Sequence, residues 1–198
     1  MFGVDLYQPW TGVGDAYEQS RPRLLVLGET RFDARFTDRE IIMGQLGGVP
    51  HLTFTNFNQA VLGLRRWAEG YDAATRAFWQ RTLFANYNTT FFSGATRHLP
   101  PREARLDPQN ARLLRDLLTT YKPSHAIVWG EENWATVAVA DAAWRDEAPV
   151  ATAAGEDPCR SVALDGARTL FLRVKHPAVG FAYERWAPPL AAFLALSI

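Results

Sequence analysis

Two short, almost uninterrupted apolar runs constrain the fold of this chain more than any other feature. One covers residues 23–27, directly after Pro22, and the other covers residues 125–129. Runs of this length and composition are typical of strands that are buried on both faces of a parallel sheet. The sequence therefore predicts a layered α/β fold, provided that helices separate the two runs.

Segments with helical periodicity do separate them. Leucines recur at helical spacing over residues 110–121 and Pro123 follows, while the segment 37–46 begins with the capping-box pair Thr37 and Glu40. Further helices are predicted over residues 56–67, 73–83, 132–144 and 186–196. This alternation of strands and helices predicts a three-layer α/β/α sandwich around a mainly parallel sheet.

The last predicted strand ends in a way that presents a histidine. The segments 161–164 and 169–174 are expected to form a β-hairpin, because the Asp-Gly pair between them is a strong tight-turn signal. The second of these strands stops at His176 and Pro177, since proline cannot donate to a ladder. His176 is therefore predicted to lie where a buried strand meets a loop.

Composition limits the class of protein. A chain of 198 residues, 47% of them hydrophobic, fits a single domain over residues 1–198, and we expect residues 1–20 to form an irregular N-terminal arm. Lys+Arg and Asp+Glu are both 21, so no net charge attracts the chain to nucleic acid or acidic membranes.

The one cysteine, Cys159, excludes a disulfide framework. With no signal-peptide pattern and no membrane-length apolar run, we expect a cytoplasmic monomer without membrane attachment.

Polar residues at the strand ends define a candidate site. The carboxyl ends of parallel strands meet at one edge, where open α/β sheets bind ligands. Gly28 would let a ligand approach the backbone, and Glu29 can accept a proton or orient a water. Asn86, which follows a short strand near residues 83–85, has a donor and an acceptor that suit the edge of a nucleobase. His176 can donate to a developing anion.

Aromatic and basic residues lie close to these positions in the sequence. Rings that can stack on a flat ligand belong to Phe32, Tyr87, Phe91, Phe92, Phe181 and Tyr183. The long loop predicted at residues 93–108 carries Arg97, Arg102 and Arg105, and a loop of this length in a compact domain is functional or disordered. The remaining histidines have no spacing that indicates a metal site, so no metal is predicted.

Four motifs, in order along the chain, resemble the uracil-DNA glycosylase superfamily, and in particular its poorly characterised bacterial members. The motifs are residues 24–30, the pair Asn86-Tyr87, the segment from Lys122 to Gly130, and His176-Pro177 with Phe181. The resemblance extends from about residue 21 to the end of the chain. It implies a central four-stranded parallel sheet between helices and a pocket for a base flipped out of DNA.

The resemblance also implies roles for the residues at the strand ends. Glu29 would lie in the water-activating motif, Asn86 would read the pyrimidine edge, and His176 would stabilise the negative charge of the leaving base. The base pocket would be completed by Gly28, Thr30, Phe32 and Tyr87. The expected reaction, hydrolysis of the N-glycosidic bond of uracil or a related damaged base, is base-excision repair chemistry and uses no cofactor.

The same resemblance implies a surface that contacts DNA. The loop at residues 177–185 would press into the DNA, with Phe181 or Tyr183 as a wedge. Candidate phosphate contacts are Arg97, Arg102, Arg105 and Arg185. The partner would be DNA that carries uracil or a damaged base, and both single and double strands stay open as substrates.

Departures from the family pattern keep other functions open. Arg31 and Phe32 follow Thr30, and Ala178 stands where a serine is usual. The alternative is a non-catalytic protein that binds a nucleobase, nucleotide or single-stranded DNA in the retained pocket. A hydrolase that acts on a small non-DNA substrate is a third hypothesis. Each site residue also has an ordinary structural interpretation, such as a capped turn for Glu29 or satisfied buried backbone for Asn86.

Overall fold

The computed structural model describes residues 8–30, 36–48, 51–89, 101–152 and 155–197. Within these segments the strands are β1 (Leu24–Thr30), β2 (Thr82–Asn88), β3 (His125–Trp129), β4 (Arg145–Thr152), β5 (Gly155–Leu164) and β6 (Ala167–Val174). The helices are α1 (Ala16–Gln19), α2 (Asp38–Leu46), α3 (Leu52–Leu62), α4 (Tyr71–Gln80), α5 (Arg102–Arg105), α6 (Pro108–Tyr121), α7 (Glu131–Thr136) and α8 (Tyr183–Leu194).

All six strands belong to one sheet with the order β2-β1-β3-β6-β5-β4. The first four are parallel to one another, and β5 and β4 continue the sheet as antiparallel strands. The α/β class predicted from the sequence is confirmed, and the sheet is mostly parallel. The expected number of four strands is wrong, because β4 and β5 extend the sheet beyond the parallel part.

The overlooked edge strand, β4, has an unusual composition for a strand. It contains Arg145, Asp146, Glu147 and Pro149. Charged residues and proline are common on edge strands because they hinder pairing with other chains. Such a strand has no apolar run or clean alternation, so its sequence did not indicate a strand.

Helices cover both faces of the sheet, each with its own hydrophobic core. On one face α2, α3, α4 and α8 pack around Phe57 and Trp79, both fully buried. On the other face α1, α6 and α7 pack around Leu25, Leu27 and Phe171. Because consecutive residues of β1 point to opposite faces, a run of apolar residues serves both cores, as the sequence analysis expected.

Several helices differ from their predicted bounds for local reasons. Helix α2 starts with the predicted capping box of Thr37 and Glu40. Helix α3 begins earlier than predicted and ends at Gly63, whose φ of 63° is left-handed. The predicted helix over residues 132–144 is wrong beyond Thr136, where the chain becomes extended at Val137. β-branched residues weaken the helix there, and Val137 packs into the core instead.

The predicted hairpin is confirmed. It joins β5 to β6, and Leu164 faces Ala167 across a turn of Asp165 and Gly166. Both turn residues have positive φ values, 49° and 77°, as a tight hairpin turn requires. This turn returns the chain into β6, and β6 delivers His176 to the carboxyl edge of the parallel strands.

The part of the predicted N-terminal arm that is described, residues 8–20, lies against the sheet. Trp10 forms an antiparallel bridge with Phe84 of β2, and its indole N–H donates to the backbone oxygen of Trp79 at 2.7 Å. This part of the arm therefore covers the β2 edge of the sheet.

Candidate active site

The carboxyl ends of the parallel strands bring four of the predicted site residues to one edge of the sheet. Gly28 of β1 pairs with Asn86 of β2, and Trp129 of β3 pairs with Val174 of β6. Beyond these pairs the chain continues into Glu29, Gly130 and His176. This edge is where an open α/β sheet binds ligands.

Glu29 is a buried carboxyl group at the end of β1. The residue is only 6% exposed, and its Oε1 atom has no hydrogen-bond partner in the described segments. Burial raises the pKa of Glu29 to about 7, which the nearby Arg105 opposes and Glu132 reinforces. A carboxyl group with a pKa close to neutral can both accept and release a proton under ordinary conditions.

Gly130 lies close to both Glu29 and His176. A Cβ atom at this position would lie 3.7 Å from the Cβ of His176 and 3.9 Å from Oε1 of Glu29. The φ of Gly130 is 92°, a conformation that other residues rarely adopt. The glycine at the end of β3 therefore keeps side-chain atoms out of the space beside both functional groups.

His176 is held as a neutral ring with a defined proton position. Its Nδ1 atom accepts a hydrogen bond from the backbone N–H of Ala178 at 3.2 Å, which leaves the ring proton on Nε2. Burial, and secondarily the charge of His51, lower the pKa of His176 to about 4. The ring packs edge-on to Trp129 with centroids 6.1 Å apart. His176 is thus a neutral hydrogen-bond donor at neutral pH.

The loop after His176 is anchored to helix α3. The side-chain amide of Asn56 donates to the backbone oxygen of Pro177 at 2.8 Å. Val179, at the turn of this loop, is 60% exposed. By contrast, Phe181 stacks on Trp186 with centroids 5.8 Å apart and packs against the core. Nothing in the sequence singles out Val179, because one valine between alanine and glycine gives no signal of exposure.

Asn86 is fixed by Asp38, a residue that sequence reasoning missed. The backbone N–H and the Nδ2 group of Asn86 donate to the two oxygens of Asp38 at 2.8 and 2.6 Å. The Oδ1 atom of Asn86 faces Gly28, where an added Cβ would collide with it. Asp38 follows the helix cap Thr37, and an acidic residue in the first turn of a helix is so common that it gave no functional signal.

Three further asparagines, also missed from the sequence, secure the end of β1. Asn133 donates to the backbone oxygen of Gly28 at 3.1 Å, and Asn88 donates to that of Glu29 at 2.7 Å. Asn110 in turn donates to Oδ1 of Asn88 at 3.3 Å. The oxygen Oδ1 of Asn133 is buried and has no partner in the described segments. Lone asparagines far apart in sequence give no indication that they converge.

Arg105 occupies a position that the sequence did not indicate. It is 9% exposed, and its Nη1 atom pairs with Oε2 of Glu132 at 2.7 Å. A buried guanidinium that already pairs with a carboxylate is poorly suited to contact a phosphate. The DNA contact expected for Arg105 stays a prediction, and this geometry does not favour it. Its charge acts on Glu29 instead.

The other predicted site residues lie around this edge or outside the described segments. Tyr87 is buried, and its hydroxyl contacts the backbone of Thr136 and Ala138. Thr30 is 6% exposed at the end of β1. Arg102 is exposed on α5, Tyr183 starts α8 half-buried, and the exposed Arg185 lies 5.8 Å over the ring of Trp186. Phe32, Phe91, Phe92, Arg97 and the first half of the predicted 93–108 loop, residues 93–100, lie outside the described segments, while the second half contains helix α5.

Neither a metal site nor a membrane span is evident in the described part of the chain. Its histidine, cysteine and acidic side chains form no group of three or more that could hold a metal ion. No helix among those described has the length and apolar character needed to cross a bilayer. In comparisons with known proteins, the chain matches no protein-family model, and no curated protein matches its sequence.

Proposed function

We propose that this protein hydrolyses the N-glycosidic bond of uracil, or of a related damaged base, in DNA. The observation that carries the proposal is that Glu29 and His176 both lie close to Gly130 at the carboxyl edge of the sheet. One group is a buried carboxyl with a pKa near neutrality, and the other is a neutral ring that can donate from Nε2. The resemblance of the four strand-end motifs to the uracil-DNA glycosylase superfamily supports the same reaction.

The two groups suit the two charge changes of this hydrolysis. Glu29 in its ionised form accepts a proton from a water molecule as the water oxygen bonds to C1′ of the sugar. The bond from C1′ to the base nitrogen breaks, and its electron pair stays on the base. The Nε2–H of His176 donates a hydrogen bond to the base oxygen on which this negative charge develops. The products are a free base, once it has taken up a proton, and an abasic sugar.

Asn86 is suited to recognising the base. Asp38 engages one N–H of its side-chain amide, and the described residues leave the second N–H for a ligand. Because Asp38 fixes the amide, that N–H has a defined direction and can donate to a carbonyl oxygen of a pyrimidine. A fixed donor discriminates well, since a base with a donor at the same place would leave two unpaired donors facing each other.

The experiment that tests the proposal is a single-turnover assay on uracil-containing oligonucleotides. Free base and abasic sites would be measured on single- and double-stranded substrates with the original protein and with Glu29→Gln and His176→Ala. The exposed residue Glu131 offers a matched control, Glu131→Gln. We expect both site variants to reduce cleavage by on the order of a hundredfold and the control to retain it. Cleavage that survives unchanged in both site variants would contradict the assigned roles.

A second candidate function is binding of a nucleobase or single-stranded DNA without turnover. The specific observation in its favour is the internal position of Arg105, which removes one of the cations expected to hold DNA. Together with zero net charge, this weakens the electrostatic attraction to DNA, so within this second candidate it favours a nucleobase over single-stranded DNA as the ligand. Binding of a nucleobase, or salt-sensitive binding of oligonucleotides, with no base release would favour this function over hydrolysis. A monomeric state and a cytoplasmic location remain predictions under either function.

A further inference from the structure

An ion pair between helices α5 and α7 is linked by asparagine side chains to the backbone of the candidate base Glu29 and of its neighbour Gly28. Arg105, the last residue of α5, places Nη1 2.7 Å from Oε2 of Glu132 and 3.5 Å from its backbone oxygen. The Nε atom of Arg105 is buried and has no partner in the described segments. The Arg105 side chain is 11% exposed, and that of Glu132 is 58% exposed. The positive end of the pair is thus internal, and the negative end faces solvent.

Hydrogen bonds fix the position of α5 relative to Glu29. The backbone oxygen of Glu29 accepts from Asn88, and Oδ1 of Asn88 accepts from Asn110. Asn110 also donates to the backbone oxygen of Ala104 at 2.9 Å, one residue before Arg105. A continuous chain of side-chain amides therefore connects the backbone of Glu29 with the end of the helix that carries Arg105.

Helix α7 is fixed to the same strand from the other side. Asn133, which follows Glu132, is fully buried and donates to the backbone oxygen of Gly28, the residue before Glu29. In the first turn of α7, the backbone N–H of Trp134 donates to the backbone oxygen of Gly130 at 3.1 Å, which joins this helix to the end of β3. The chain segments that carry the two members of the ion pair are thus attached, through asparagines, to the backbone of Gly28 and Glu29 near the end of β1.

We infer that the Arg105–Glu132 ion pair is a positioning device that adjusts the charge state of the buried Glu29 carboxyl, with Glu132 acting largely through Arg105. The inference rests on the proposed role of Glu29 as the proton acceptor. Neither Arg105 nor Glu132 is assigned contact with the substrate.

Electrostatics explains why the two partners should act in opposite directions. Arg105 favours the ionised form of Glu29, and its burial weakens solvent screening of that attraction. Glu132 disfavours the ionised form, both directly and by neutralising part of the charge of Arg105. The other titratable groups at this edge of the described structure are Asp38, which binds Asn86, and His176, which is neutral near pH 7.

The test is an NMR titration of the Glu29 side-chain carboxyl in the free protein. We expect Glu132→Gln to lower the pKa of Glu29 and Arg105→Gln to raise it, each by about half a unit or more. The matched controls are Glu131→Gln and Arg102→Gln, which make the same charge changes on exposed residues of the same two helices. The controls should move this pKa by much less.

The opposite signs separate this inference from a purely structural role of the ion pair. If the pair only held the two helices together, breaking it from either side would loosen the site and move Glu29 in the same direction. If the pKa of Glu29 shifts in the same direction in both variants, or shifts no more than in the controls, the inference is overturned. If Arg105→Gln does not fold, Arg105→Lys takes its place beside Glu132→Gln. Lysine keeps the charge, so an electrostatic role leaves the pKa of Glu29 nearly unchanged in Arg105→Lys, whereas a loosened site would lower that pKa in both variants.

The titration needs no substrate, so it distinguishes this inference from the proposed function. Opposite shifts without base release would support the ion pair's effect and contradict the hydrolysis. If the protein does release base, the acid limb of the rate against pH should shift with the pKa of Glu29 in each variant. At pH 6 a half-unit decrease in Glu132→Gln would raise the rate about threefold.

Discussion

Asp38 and Asn86 form a two-point contact at the end of β2, with the backbone N–H and the side-chain amide of Asn86 both donating to one carboxylate. Both residues are buried, at 2% and 6% exposure. A short side chain held at two points has little rotational freedom. This contact therefore fixes the direction of the Asn86 side-chain amide, as the base recognition proposed for it would require.

Replacing Asp38 tests how much this contact contributes to the stability of the fold. In Asp38→Ala two buried donors lose a charged acceptor, and we expect the free energy of unfolding to fall by about 3 kcal/mol. Asp116→Ala, on the exposed side of α6, should change it by about 0.5 kcal/mol or less. Chemical denaturation measures both. Equal losses in the two variants would show that the carboxylate of Asp38 is not structurally special.

Gly28 depends on the same contact. A Cβ atom at Gly28 would collide with Oδ1 of Asn86, and Asp38 prevents the amide from moving aside. We expect Gly28→Ala to destabilise the protein by about 2 kcal/mol or more. Gly44→Ala is the matched control, since Gly44 lies inside α2 with no atoms within 4 Å of an added Cβ. That variant should be more stable than the original by about 0.5–1 kcal/mol, because alanine favours the helix.

The sequence predicted the parts of this site that follow strands and missed the parts that converge from elsewhere. Glu29, Asn86 and His176 each end a recognisable strand, so a parallel sheet was enough to bring them to one edge. Asp38 and Asn133 reach that edge from helices, and their positions depend on packing angles that no local pattern encodes. The buried position of Arg105 is hidden for the same reason, because an arginine in a polar segment indicates a solvated surface.

Tyr87 is a case in which the sequence pattern and the structure suggest different roles. It packs into the core on the face that holds α6 and α7, whereas its neighbour in sequence, Asn86, contacts α2. Its hydroxyl accepts from the backbone N–H of Ala138 at 3.0 Å and lies 3.3 Å from the backbone oxygen of Thr136. The role in base binding expected for Tyr87 stays a prediction, while these contacts give it a structural role.

The variant Tyr87→Phe separates the two roles. Losing the hydroxyl leaves the N–H of Ala138 unpaired, and we expect the free energy of unfolding to fall by about 1–2 kcal/mol with base binding unchanged. Tyr121→Phe removes a hydroxyl that forms no hydrogen bond within the described segments, so it should change the free energy of unfolding little. Weaker binding of uracil to Tyr87→Phe, at unchanged stability, would instead support a direct contact with the base.

Val179 provides a test of how the loop after His176 meets DNA. An exposed valine at the turn of an anchored loop can fill the space that a flipped base leaves in a duplex. If the proposed function holds, Val179→Ala should slow release of base from double-stranded DNA by on the order of tenfold and affect single strands much less. Val13→Ala, at another exposed valine, is the control. Equal slowing on both substrates would contradict a wedge at this position.

The raised pKa of Glu29 also predicts how stability depends on pH. Its folded-state pKa is about 7, against an ordinary value of 4.5, so the folded protein holds this proton more tightly than the unfolded chain does. The tighter binding of this proton contributes its full stabilisation of the folded state below pH 4.5, and this contribution is lost as the pH rises through 7. The shift corresponds to about 3 kcal/mol. His176, with its lowered pKa, works in the opposite direction, since its contribution is lost as the pH falls from 6.5 through about 4.

Comparison with Glu29→Gln isolates the carboxyl from this opposing effect. Glutamine keeps the shape of the side chain and never ionises, so the variant should match the original protein near pH 4 and exceed its free energy of unfolding by up to about 3 kcal/mol at pH 8. Denaturation of both proteins across this range measures the difference, and Glu131→Gln should show no such trend. A variant that gains stability while losing base release would indicate that burial of Glu29 lowers stability in favour of activity. A difference that does not change with pH would show that Glu29 titrates normally and would contradict the raised pKa of its carboxyl.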